Sequence, residues 1–351
     1  HRALGVWGGV GGLASAAGVL LGGLLTDGPG WRWVLFVNPP ICVLLLAATF
    51  WIVPRDLRRP KFVGFDVVGS VLVTSGMLLL VFALIKAPSQ GWGSARTIGE
   101  LAGAGVLLLA FLANERRSRD PLVPLSVFRI RGLAAADVTQ LVALAGLLAM
   151  FFFLTLYMQL VLGWSPMRTG LAYLPLCAGV AVAAGVTAQL IRSVGTKPLV
   201  VVGALIAAAG LATLSRVPVH GSYLHDLLPG LLIVSIGLGA VFVANTTAAN
   251  AGVPADKAGL AAALLNASQQ VGGALGLAIL SAVATARTAD LLAAHADAAH
   301  ALTGGIHRAL LVGSVFVLAT AVVALGTTNT RGEVEDIVDG PETEDAAALA
   351  G

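Results

Sequence analysis

Residues 133–160 read LAAADVTQLVALAGLLAMFFFLTLYMQL, a run of 28 residues with a single charged side chain, Asp137. About 20 consecutive apolar residues carry an α-helix across the hydrocarbon core of a bilayer, so this run is long enough to span. Its apolar residues are continuous rather than alternating, which argues against a strand of a membrane barrel. Working outward, comparable runs recur at 4–25, 32–53, 67–86, 97–114, 169–191, 198–215, 226–250, 259–284 and 307–327, giving ten candidate spans. Turn-forming and charged clusters separate them, among them Asp27-Gly28-Pro29-Gly30, Pro54-Arg55-Asp56, Pro88-Ser89-Gln90-Gly91 and Gly163-Trp164-Ser165-Pro166.

Composition points the same way. Of 351 residues, 57% are hydrophobic and 11% are charged, against about 25% charged in an ordinary soluble domain. That excludes a soluble enzyme, whose surface needs polar cover, and an intrinsically disordered chain. The expected fold is an all-α polytopic membrane protein. Net charge is +3, and the cations are scattered over the loops, so nucleic acid is not an expected partner. Cys42 and Cys177 lie inside apolar runs and read as small hydrophobes. The first residue is His1 and an apolar run follows almost at once, which reads as a fragment cut just before a membrane helix.

Loop charge orients the spans. With the N-terminus in the cytoplasm, Arg32, Lys86, Arg96, Arg168, Arg216, Arg287 and Arg308 fall outside. The other 14 of the 21 lysines and arginines fall inside, including Arg55, Arg58, Arg59 and Lys61, and Arg116, Arg117 and Arg119. Both ends of the chain are then expected in the cytoplasm of a multi-pass cell-membrane protein. Residues 328–351 hold seven of the 18 acids and read as an acidic, disordered, solvated tail.

Two acids fall within spans, Asp137 and Glu100, each about one turn from an end. A charge inside a span is costly and marks a functional candidate, although both can snorkel to the interface; Glu115 reads as interfacial. Asp137, Gln140, Leu144, Leu148, Phe152, Thr155 and Gln159 follow three- and four-residue steps and share one helix face. An acid, amides and an aromatic in one stripe suit a cavity for lipophilic cations. Phe242, Asn245 and Thr246 put polar and aromatic groups at depth in the 226–250 span, where Asn245 serves either the cavity or an interhelical bond. Asn266, Gln269 and Gln270 carry the same ambiguity. His220, His225, His295, His300 and His307 fall in expected outer loops, with residues 288–302 as a short amphipathic helix, and no metal site is expected there. No Gly-x-x-x-x-Gly-Lys-Ser/Thr, nucleophile elbow or His-Glu-x-x-His occurs, so neither an ATP-driven pump nor an enzyme is supported, and no cofactor is expected.

The first span carries Gly8/Gly12 and Gly18/Gly22, each pair four residues apart on one helix face, which allows close backbone approach in lipid. Together with the following Trp31-Arg32-Trp33 and Asn38-x-Pro40, this block resembles the fifth and sixth spans of the major facilitator superfamily, in its 14-span drug:proton antiporter branch (the EmrB/QacA type). Aligned on Gly22-Gly23, the antiporter motif of that branch places Gly5, Ala14, Gly18 and Val19 at its earlier positions, so four of six match and Val19 replaces a proline. Further resemblances follow in order: Phe65-Asp66-Val-Val-Gly69, Pro121-Leu122-Val-Pro-Leu125, Gln159 to Pro166, Gly170 to Pro175, and Asn266 to Gly276.

The resemblance implies a proton-coupled secondary transporter that exports hydrophobic or cationic small molecules by alternating access, a monomer whose partners are small-molecule substrate, protons and the lipid bilayer. It implies the last two helices of an N-terminal bundle at 1–53, two inserted helices at 54–132, and a six-helix C-terminal bundle at 133–327. The family's first four helices, with its main proton carriers, would be absent. Asp137, Gln140, Phe152, Gln159 and Asn245 are the cavity candidates, and Gly5, Gly18, Gly22 and Gly23 the packing motif. The 5–23 face is expected against Gly179, Ala183, Ala184 and Gly185. The alternatives are a truncated, transport-incompetent copy and a carrier of a different small metabolite.

Overall fold

The computed structural model describes residues 17–52, 66–118 and 132–331, less 252, 255 and 256, with a few isolated positions between them. The described chain is helical: α1 Ala17–Asp27, α2 Arg32–Phe36, α3 Asn38–Ile52, α4 Val67–Gln90, α5 Ala95–Arg117, α6 Leu133–Leu156, α7 Pro166–Ala172, α8 Leu174–Val194, α9 Thr196–Leu214, α10 Leu228–Asn250, α11 Ala258–Ala293 and α12 Ala298–Ala324. Nine stretches among the described residues are long and apolar enough to cross a membrane, with α2–α3 and α7–α8 each counted as one. The expected 4–25 span is described only from Ala14 onward, and Gly5, Gly8 and Gly12 lie outside the described residues. Residues 332–351 do as well.

α6 to α12 form one bundle around Leu147, Met150, Leu154, Tyr157, Leu211 and Leu231. α6 packs on α11 and α12, α10 on α8 and α9, and α12 on α9. In lipid these contacts gain little from hiding apolar surface, because the tails are as apolar as leucine; close van der Waals approach holds them instead. The approach is made by small residues. A Cβ placed on Gly276 of α11 would stand 2.1 Å from Ala145 O of α6, and one on Gly237 of α10 would stand 2.4 Å from Ala207 N of α9. Both helices at each contact therefore run backbone to backbone.

α4 and α5 pair with each other, and α4 also reaches α11. Asp66 ties the pair: its Oδ1 caps α4 by accepting from Gly69 N at 2.8 Å, and its Oδ2 accepts from Asn114 Nδ2 at 2.6 Å. Glu115, in the last turn of α5, is buried against protein, and its Oε2 accepts from Val123 N at 3.1 Å. Glu100 pairs with Arg96, Oε1 to Nε at 3.0 Å, one helical turn away. The α2–α3 span has no buried residue.

One expected loop is helix. α11 runs to Ala293 and α12 starts at Ala298, so residues 288–302 are the facing ends of two long helices rather than a separate amphipathic helix, and His300 and His307 lie on α12. Alanine holds helix without needing hydrocarbon around it, so these helices extend past the apolar stretch that marks a span. The turn between them is tightly specified. His295 takes φ 62°, and it donates N–H to Leu292 O while Ala296 donates to Leu291 O, a Schellman closure. Asp297 then caps α12 through Ala299 N and His300 N, and the His300 backbone N–H, with lesser help from its ring, holds the Asp297 carboxyl below the usual carboxylate range. A left-handed histidine is strained where glycine is not. His295→Gly should therefore raise stability by about 1 kcal/mol, read as a higher midpoint of thermal unfolding in detergent.

At the end of the bundle where α6, α9 and α11 begin, the chain after α12 clasps the α8–α9 turn. Thr196 Oγ1 donates to Thr328 O at 3.1 Å, Thr196 N donates to Thr330 O at 2.9 Å, and Lys197 N donates to Asn329 Oδ1 at 3.1 Å. This is called the Asp137 end below. The opposite end carries all three tyrosines: Tyr157 OH donates to Pro218 O at 2.5 Å, Tyr223 OH to Ala172 O at 2.8 Å, and Tyr173 OH to Phe151 O at 3.0 Å.

Candidate functional site

The face of α6 that reads as one stripe divides in two. Near the Asp137 end it is buried against α10: Asp137 is 5% exposed, and Gln140 and Asn245 are fully buried. Asn245 Nδ2 donates to Gln140 Oε1 at 2.8 Å and to Ala136 O at 3.0 Å, so the amide bridges the two helices. Neither oxygen of the Asp137 carboxylate has a hydrogen-bond partner among the described residues, nor do Gln140 Nε2 and Asn245 Oδ1. Further along, Leu148 and Phe152 are each 43% exposed and Gln159 is half-buried. Thr155 lies within 3.2 Å of the Tyr173 hydroxyl. Phe242 of α10 is exposed as well.

The structure thus joins Gln140 to Asn245, with Asp137 one turn before Gln140 on α6, and sets Phe152 about three turns beyond Gln140 and Gln159 about two turns further, past the end of α6. The exposed half offers aromatic surface and an amide to whatever lies beside it. The buried half offers a carboxylate without a counter-charge. On α11, Asn266 and Gln270 are exposed and Gln269 is half-buried.

The glycine motif behaves unevenly. Gly18 and Gly22 have no neighbouring atom within 4 Å of a notional Cβ, whereas one on Gly23 would stand 3.0 Å from Pro166 O and 3.1 Å from the Met167 Cα at the start of α7. Gly170 of α7 faces Val19 O in return. Asp27 closes the contact, its Oδ2 accepting from Met167 N at 2.9 Å. The described part of the α1 face therefore meets α7, at the start of the expected 169–191 span. Of the small residues of α8, Gly179, Ala183 and Ala184 meet α10, where Gly179 faces Ser235 and Gly239 faces Val180, Ala183 and Ala184, whereas a Cβ on Gly185 would have nothing within 4 Å. Asp27 was legible only as part of a turn; its role depends on a residue 140 positions away.

At the opposite end, Pro218, Val219, His220, Thr303 and His307 border a cavity of about 500 Å³, with His307 Nε2 2.5 Å from Val217 O. Among the described residues, no group of three or more His, Cys, Asp or Glu side chains is placed to hold a metal ion.

Among the described residues, nine stretches long and apolar enough to cross a membrane, with a bundle held by small residues, define a multi-pass helical membrane protein. A sequence profile of the Major Facilitator Superfamily matches residues 1–277, and the chain belongs to that family of transporters. It is 38% identical to the puromycin resistance protein pur8 of Streptomyces alboniger over 342 residues, 95% of this chain and 68% of that one. It is 38% identical over 294 residues to the tetracenomycin C resistance and export protein of Streptomyces glaucescens, covering 83% of this chain and 54% of the relative. It is 31% identical over 337 residues to the multidrug resistance protein Stp of Mycobacterium tuberculosis, covering 96% and 60%. The chain therefore spans between about half and two thirds of these relatives' length.

Proposed function

We propose that the chain forms the greater part of a proton-coupled secondary transporter that exports hydrophobic or cationic small molecules by alternating access, in the 14-span drug:proton antiporter branch. The observation that carries this reading is the α6 face: a buried, unpaired carboxylate at one end and exposed Phe152 with Gln159 at the other. An aromatic face attracts a cation and a few polar groups orient it, which is the lining such a cavity needs. The names of the relatives, which are resistance and export proteins, support the direction of transport.

In this reading, residues 1–53 belong to the N-terminal bundle, 54–132 to the inserted helices and 133–327 to the C-terminal bundle, with 328–351 as a cytoplasmic tail. The Asp137 end faces the cytoplasm, as the 14-to-7 distribution of lysine and arginine supports. The α1–α7 contact at Gly23 and Asp27 supports a meeting of the two bundles toward the outer side. The carrier acts as a monomer in the cell membrane.

Export is tested in cells that carry the full-length protein and are loaded with a panel of lipophilic cationic dyes. Dye loss should be faster than in cells without it, and Phe152→Ala should slow that loss severalfold at unchanged protein level. Dye loss no faster than in the control cells for every member of the panel would remove this reading.

A further inference from the structure

Four buried atoms, on one turn of α6 and on the Asn245 amide that bonds to that turn, have no hydrogen-bond partner among the described residues. They are both carboxylate oxygens of Asp137, Asn245 Oδ1 and Gln140 Nε2. Asn245 spends both Nδ2 protons on Ala136 O and Gln140 Oε1, which leaves its own oxygen with no donor. The set therefore holds three acceptor oxygens, two of them the carboxylate's, and one amide donor. A buried polar group without a partner is costly, and a buried charge without a counter-charge is costlier.

Nothing described supplies that counter-charge. α6 holds no charged side chain besides Asp137, and α10 holds no ionisable one from Leu228 to Asn250. On α11 the nearest charge is Lys257, exposed at the N-cap, and for α12 it is Arg331, exposed beyond the helix end. No ion pair to Asp137 forms among the described residues. Arg129 and Arg131, which precede α6, lie outside the described residues.

One negative charge asks for one positive charge; a divalent ion would leave an excess of the opposite sign in the same buried place. The geometry points to a binding site for one small monovalent inorganic cation, a proton or an alkali ion, at Asp137, Gln140 and Asn245. An alkali ion takes oxygen ligands, which the carboxylate and Asn245 Oδ1 supply. A proton neutralises the carboxylate and makes it an O–H donor, and Asn245 Oδ1, whose amide is bonded to the same turn of α6, is an acceptor without a donor. The inference rests on the reading of the chain as a gradient-driven carrier, and it gives that carrier a coupling-ion site within the six-helix bundle.

Two measurements on the full-length protein in nanodiscs test it. The first is equilibrium binding of radioactive sodium. The second is infrared detection, at neutral pH, of the carbonyl band of a buried carboxylic acid. An alkali site gives saturable sodium binding, one ion per chain, competed by acid. A proton site gives the acid band and no sodium binding. Whichever signal occurs should vanish in Asp137→Asn, which keeps the side-chain shape. Gln140→Leu should weaken sodium binding at least about tenfold or shift the band. Neither signal in the wild type, or a signal unchanged in Asp137→Asn, overturns the site. The two readings fail separately. An Asp137-dependent signal without gradient-driven export removes coupled transport and keeps the site. Gradient-driven export without either signal keeps the carrier and removes the site.

Discussion

Gly276→Val should abolish the folded bundle. The Ala145 carbonyl oxygen lies 2.1 Å from where a Cβ would stand on Gly276, and the Ala145 Cα lies 2.3 Å away. These are backbone atoms of α6, so no side-chain rotation relieves the overlap, and α11 would have to move outward along its length. Gly272, one turn earlier on the same face, is as close to Leu141 O, so the displacement is not absorbed locally. Overpacking of this kind costs about 1–3 kcal/mol where neighbours can shift and more where they cannot. In a membrane the loss is aggravated because helix association depends on this approach. The expected result is loss of the monodisperse peak in size-exclusion chromatography of detergent-solubilised protein. Gly259→Val, at a position on α11 with nothing within 4 Å, should leave the peak in place. Equal behaviour of the two variants would show that the α6–α11 contact is not what holds the bundle.

Asn245→Leu should destabilise the same bundle by about 1–2 kcal/mol without unfolding it. The substitution keeps the branching and heavy-atom count but strips Gln140 Oε1 and Ala136 O of the hydrogen bonds that Asn245 Nδ2 gives them. Interhelical hydrogen bonds in membranes contribute less than burial alone suggests, about 0.6 kcal/mol each on average, and removal of the unpaired Asn245 Oδ1 offsets part of the loss. Thermal unfolding in detergent measures the difference. Pairing Asn245→Leu with Gln140→Leu in a double-mutant cycle separates the mutual bond from the rest. Additive effects would mean that the Gln140–Asn245 bond contributes nothing.

Most of the spans were legible because the signal is one of length: twenty apolar residues between turn clusters leave a polypeptide few alternatives in a bilayer. α6, α8, α9 and α10 fall close to their expected ranges. The α11–α12 hairpin was misread because the transfer signal stops at the hydrocarbon boundary while alanine continues the helix beyond it. Its turn is made by His295 and Asp297, neither of them a glycine or a proline. Periodicity placed Asp137, Gln140, Phe152 and Gln159 on one face. It did not show that the face is buried at one end and open at the other, because burial depends on α10, more than 100 residues away. Asn245 had two readings, cavity or interhelical bond; the structure gives it the bond with α6 and leaves its own oxygen without a donor. The glycines show the same limit. Small residues recur along these helices, so spacing alone does not tell Gly23, where a Cβ would meet α7, from Gly18 and Gly22, where it would meet nothing within 4 Å.

The central claim is coupled export, and the most direct measurement is uptake of a transported lipophilic cation into inverted membrane vesicles bearing the full-length protein. The vesicle interior corresponds to the outside of the cell, so an interior made acidic offers protons a path out in exchange for substrate moving in. The account predicts uptake that rises severalfold with the imposed gradient and collapses when a protonophore is added. Uptake of the same rate and extent with and without the gradient would contradict it.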